Sequence, residues 1–159
     1  MALAQQVNSK GCGTVESKEF LKQVEKLDLR IKNKLIEQMQ WREVALGITA
    51  NMDGERVQAT SGKSKMADAI EKCVDMEYEI DSLIDELIDK KKEVIAVIER
   101  LDSATEYNVL HLRYIQYKSL QEIADQYGRD YGWVTTCHGR ALKNVQKILD
   151  ERENGNDGN

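Results

Sequence analysis

From Met66 to Leu101 the chain carries a stripe whose steps alternate between four and three residues: Met66, Ile70, Cys73, Glu77, Ile80, Ile84, Leu87, Lys91, Val94, Ile98 and Leu101. A mean step of about 3.5 residues is the signature of a helix lying along another helix, and a strand with period two cannot use it. The stretch is therefore expected to be one helix from about Ser64 to about Leu101, on the order of 55 Å long at ~1.5 Å per residue. Leu83, Ile88 and Ile95 widen the stripe beyond what one partner helix covers. Glu77 and Lys91 interrupt it, and polar seam positions cost stability while setting register or oligomer state.

The partner helix lies upstream. Phe20, Val24, Leu27 and Ile31, followed by Leu35, Met39 and Trp41, mark a helix that Thr14 or Ser17 can cap and Gly47 can end. Residues Ile48 to Lys63 contain Asp53-Gly54 and Ser61-Gly62 and are expected to form a long loop. With no proline in 159 residues, the expected fold is all-α: a long antiparallel, coiled-coil-like helical hairpin followed by a three-helix helix-turn-helix domain. The expected divisions are a disordered tail at 1–13, the hairpin arm at 14–102, the helix-turn-helix domain at 103–150 and a polar tail at 151–159. Because the arm is more apolar than one hairpin needs, a homodimer through it is expected.

Several functional classes fall away. No apolar run reaches the roughly 18 residues that span a bilayer, and the N-terminus lacks a signal pattern, so no membrane partner and a cytoplasmic location are expected. Cys12, Cys73 and Cys137 lack paired spacing and read as free thiols. The acidic run Asp75, Glu77, Glu79, Asp81, Asp85, Glu86 and Asp89 reads as a solvated helix face. A helical carboxylate metal site would need Glu-x-x-His pairs, and His111 and His138 lie elsewhere. No catalytic residue, cofactor or metal is expected, since no nucleophile stands beside a base and no glycine-rich phosphate loop is present. The net charge is −5. Between Ala104 and Leu149 six cations face four acids, so that segment carries +2 and the remainder −7. The asymmetry permits a DNA-facing C-terminal domain.

That domain has its own punctuation. Ser103-Ala-Thr-Glu106 and Ser119-Leu-Gln-Glu122 have capping-box spacing, and Asp130 can cap a third helix. Three helices are expected, at about Ala104–Tyr117, Leu120–Tyr127 and Tyr131–Leu149. Ala124 supplies a small residue where two helices cross, Gly128 can take the positive φ of the turn, and Val134 anchors the second helix. Ile123, Tyr127, Leu110 and Tyr114 are expected to complete the core.

Val109-Leu-His-Leu-Arg-Tyr114, Ser119-Leu-Gln-Glu-Ile-Ala124, Gly128, Val134 and Arg140-Ala-Leu142 resemble the fourth conserved region of bacterial sigma factors. Arg56-Val-Gln58, Lys65-Met-Ala-Asp68, the long acidic helix and His138-Gly-Arg-Ala-Leu142 are also similar to a family of phage-encoded transcription regulators. The resemblance implies a sequence-specific transcription regulator that binds double-stranded DNA. The alternatives are a module that binds host RNA polymerase and a DNA-recognition subunit of phage packaging machinery. By the docking geometry of such domains, Tyr131, Gly132, Thr135 and Thr136 would face base edges. Lys118, Ser119, Arg129, Arg140 and Lys143 would meet phosphates. Sigma recognition helices usually carry Arg or Lys where Thr135 and Thr136 stand, so a single copy is expected to bind weakly. His138 and Trp133 are expected to pack rather than read bases.

Overall fold

The computed structural model describes residues 13–51 and 59–156. Every element among them is helical: α1 (Gly13–Asn51), α2 (Ala59–Ile98), α3 (Ala104–Leu110), a π-helical turn (His111–Ile115), α4 (Leu120–Tyr127) and α5 (Tyr131–Asn156). The fold is all-α and begins with a long helical hairpin, as the heptad pattern predicts. The chain divides into two compact units. One is Lys26–Ile88; the other joins Met1–Glu25 to Asp89–Asn159.

In the Lys26–Ile88 unit, α1 and α2 run antiparallel. Lys34 Nζ pairs with a Glu79 carboxylate oxygen at 2.7 Å, Gln38 Nε2 donates to the Cys73 carbonyl at 3.1 Å, and Lys72 Nζ lies 3.8 Å from the centre of the Trp41 ring. The seam is not quite the expected one. Ala69, Met76, Ile80, Leu83 and Leu87 are buried, with Met66 and Cys73 half-buried, whereas Ile70, Glu77 and Ile84 face outward. Every second expected position is replaced by its N-terminal neighbour: 70 by 69, 77 by 76, 84 by 83. Farther along α2, Val94, Val97 and Ile98 are buried while Lys90 and Lys91 are both half-buried. Both registers have 3.5-residue spacing, so periodicity alone could not choose between them. Packing selects the row with fewer charges: Glu77, expected to interrupt the seam, is solvated.

Helix boundaries also move. Gly47 does not end α1, because a glycine ends a helix by taking the left-handed conformation and Gly47 does not. α1 continues to Asn51 and α2 begins at Ala59, so the expected loop Ile48–Lys63 is helical at both ends; residues 52–58 lie outside those described. α1 starts at Gly13, and the rest of the expected N-terminal tail lies outside the described residues. Ser17 is not a cap. It sits inside α1, fully buried, and its backbone N–H donates to Gln146 Oε1 at 2.9 Å, tying α1 to α5. α5 extends past Leu149 to Asn156, into the expected C-terminal tail. There Glu151 reaches Arg100 at 3.2 Å and Arg152 reaches Glu93 at 3.9 Å.

Candidate nucleic-acid interface

The helix-turn-helix is assembled from three caps. Ser103 starts α3, its Oγ accepting the Glu106 N–H at 3.4 Å. Glu106 does not complete the expected reciprocal box. Its buried carboxylate accepts from Asn144 Nδ2 at 2.8 Å and lies 3.7 Å from Arg140, joining α3 to α5. At Ser119 the box is complete: Oγ accepts the Glu122 N–H at 3.2 Å, and the Ser119 N–H donates to the Glu122 carboxylate at 2.7 Å. These bonds hold the Glu122 carboxyl below its usual range. α4 ends at Gly128, which is left-handed at φ 58°, and the Arg129 N–H donates back to the Ala124 carbonyl at 3.0 Å. Asp130 then receives the Trp133 N–H at 3.0 Å, capping α5.

Between α3 and α4 the chain departs from the expected α-helix. Residues His111–Ile115 form a π turn, in which the Gln116 N–H reaches the His111 carbonyl at 3.1 Å, and Tyr117 follows at φ 59°. The wider turn changes which residues close the core. Val109 and Leu112 join Ile123, Ala124, Val134 and Cys137, with Leu120 and Trp133 packed at the edge. Leu110 and Tyr114, expected in this core, are buried outside it. Tyr114 Oη shares a hydrogen bond with His138 Nε2 at 3.0 Å, and the two rings stack with centroids 5.8 Å apart. Burial pushes the Tyr114 hydroxyl up to about 12. Burial, then Arg113 and Lys18, push His138 down to about 4, so its ring is neutral and structural. Cys137 is likewise buried, which raises its thiol pKa.

Ala124 and Val134, the expected crossing and anchor residues, are completely buried. The first turns of α5 carry the expected base-facing residues. Tyr131, Gly132 and Thr136 are exposed, and Thr135 is half-buried. Both threonine hydroxyls are already engaged. Thr135 Oγ1 donates to the Tyr131 and Gly132 carbonyls at 2.9 and 3.0 Å, and Thr136 Oγ1 donates to the Gly132 carbonyl at 2.8 Å.

The expected phosphate contacts are less uniform. Lys143 is exposed. Arg129 is exposed and its guanidinium lies 5.6 Å from the Trp133 ring, which also meets Tyr127 at 5.7 Å. Tyr127, expected in the core, sits instead at the surface beside this ring. Arg140 is exposed but leans toward Glu106, and Lys118 Nζ donates to Gln126 Oε1 at 2.6 Å. Ser119 has both its N–H and its hydroxyl committed to the capping box. Spacing did not identify the Tyr127–Trp133–Arg129 cluster; an aromatic immediately before the turn glycine and another five residues after it was the available signal.

The family model for a protein of unknown function (DUF1492) matches residues 48–146, more than half of the chain. The chain belongs to this family. The match takes in α2, α3, the π turn, α4 and most of α5, so arm helix and helix-turn-helix recur together as one DUF1492 unit. No curated protein and no solved structure matches the chain. Among the described residues, no helix is long and apolar enough to cross a membrane.

Proposed function

We propose that this DUF1492 protein binds double-stranded DNA as a sequence-specific transcription regulator of phage origin, with the N-terminal turns of α5 in the major groove. The observation that carries the reading is the turn itself. A buried Ala124, a left-handed Gly128 and a buried Val134 hold two short-looped helices at an angle, while Tyr131, Gly132 and Thr136 stay open to solvent.

The chemistry of that surface narrows what it reads. Thr135 and Thr136 give their hydroxyl protons to main-chain carbonyls, so they offer methyl groups and oxygen lone pairs. A thymine methyl or an adenine amine suits them; guanine, whose major-groove edge presents only acceptors, does not. Arg129 and Lys143 contact phosphates, with Lys118, Arg140 and the α4 start at Ser119 beside them. The carboxylates of Glu122 and Asp130 lie at the two helix starts and oppose the polyanion, so one copy binds weakly and two copies in a homodimer bind usefully.

Footprinting on the regulatory DNA of the encoding phage tests this. Protection of discrete sites is expected. Thr135→Ala with Thr136→Ala should relax sequence preference at about 1–3 kcal/mol per lost contact. Lys143→Ala should weaken all sequences alike and lower the salt slope by about one. Binding without sequence preference, or without salt dependence, sinks the reading. The second reading is RNA polymerase binding by the same domain, favoured by the Glu122, Asp125 and Asp130 carboxylates around the turn; purified polymerase bound in the absence of DNA would select it.

A further inference from the structure

The Lys26–Ile88 hairpin has two sides, and they differ. One is closed by polar contacts across the seam, Lys34 to Glu79 and Lys72 to Trp41. The other side carries a row of exposed apolar residues, with Lys32, Glu77 and Asp81 among them. On α1 the apolar residues include Leu35, Met39 and Leu46, about half exposed or more. On α2 they are Ile70, Val74, Ile84 and Ile88, exposed by 39 to 46%. In an antiparallel pair the two rows that do not meet across the polar side share the opposite one. Such side chains expose on the order of 600 Å2 together, most of the roughly 800 Å2 that one partner contributes to a standard interface. A monomer's largest apolar patch is ordinarily about 300–600 Å2.

We infer that this side of the hairpin is the homodimer interface, and that the two copies pair with their dyad parallel to the helices, so that α1 of each lies on α2 of the other. The inference deepens the proposed function, whose homodimer it rests on. The charge pattern selects a second copy as the occupant. Lys26–Gly47 carries five cations against three acids, net +2, while Ser64–Ile88 carries two cations against eight acids, net −6. Stacking α1 on α1 would set like charges together; stacking α1 on α2 sets opposite ones together. The patch is self-complementary only in that arrangement, as a two-fold interface requires.

Register makes the pairing specific. Lys34 faces Glu79, so two residues farther along each helix Lys32 stands level with Asp81. Lys32 already holds Asp28 of its own helix at 2.7 Å, and on the open side it meets the partner's Asp81. Met39 stands level with Val74, so these two apolar residues oppose each other across the dyad. The two Ile88 residues come to the same end of the pair, as reading two half-sites requires.

Sedimentation equilibrium of the full chain tests the interface. A dimer is expected. Ile70→Glu with Ile84→Glu should raise its dissociation constant by about a hundredfold or more, with helical circular dichroism unchanged because both sites are already about 40% exposed or more. Glu79→Gln with Glu86→Gln, on the polar side, should leave the dimer intact. Lys32→Glu and Asp81→Lys should each weaken self-association, while an equimolar mixture of the two variants forms the heterodimer. A chain that is monomeric at all concentrations, a double-isoleucine variant that remains dimeric, or a mixture with no heterodimer preference would overturn the assignment. The DNA reading fails separately: a dimer that protects no DNA removes that reading and leaves this face standing, and a monomer that protects DNA does the reverse.

Discussion

The helix-turn-helix and the 26–88 hairpin bury apolar residues in opposite ways. In the former, Val109, Leu112, Ile123, Ala124, Val134 and Cys137 are enclosed by three converging elements, and the remaining exposed groups are mainly polar or aromatic. In the latter, two long cylinders touch along one line. Leu83 is 7% exposed while its neighbour Ile84 is 39% exposed. Three helices can surround a core and two cannot, so an apolar stripe wider than the seam has nowhere to go within one hairpin. The first region encloses its apolar residues, and the second leaves a row of them open to solvent.

The contrast can be broken most sharply inside the helix-turn-helix. Val134→Asp places an unpaired carboxylate in an enclosed core and should cost more than about 4 kcal/mol, abolishing the domain's cooperative unfolding transition in calorimetry. Next is the paired substitution on α2. Leu83→Ala should cost about 2–5 kcal/mol at any protein concentration, whereas Ile84→Ala should cost under about 1 kcal/mol at low concentration and more where the proposed dimer would form. A larger cost at Ile84 than at Leu83 at low concentration would show that the seam lies where periodicity alone first put it. Gly128→Ala should cost about 1–2 kcal/mol, since an L side chain resists the left-handed conformation; no neighbouring atom crowds the site, so denaturant titration reads backbone strain alone.

The smallest effect is on pH dependence. His138 has a native pKa of about 4 against an ordinary 6.5, so the unfolded chain binds a proton that the folded chain refuses. Stability should be full above about 6.5 and decline as pH falls from there toward 4. His138→Gln should flatten that limb, measured by chemical denaturation across the window; an unchanged limb would mean that the Tyr114–His138 pair does not carry it.

Much of the C-terminal domain was legible because its signals are local. Ser119 with Glu122, Ala124, Gly128 and Asp130 each act within a few residues, and α4 has the expected bounds, Leu120–Tyr127. The π turn was not legible: Val109 to Ile115 reads as an ordinary helix, and only the packing of Val109 and Leu112 against α4 and α5 distinguishes the wider winding. The engagement of Ser119, Thr135 and Thr136 hydroxyls was equally hidden, since sequence supplies a donor and not its partner.

Composition and spacing by themselves determined that this chain is helical, that a 3.5-residue stripe pairs two long helices, and that a glycine turn separates α4 from α5. These follow from periodicity and from the backbone preferences of single residues. Only the tertiary structure decided which of two equivalent stripes on α2 is buried and which is left open. Rotating a helix by one residue leaves its period intact, and the choice between the rows rests on which side chains the facing helix can desolvate without isolating a charge.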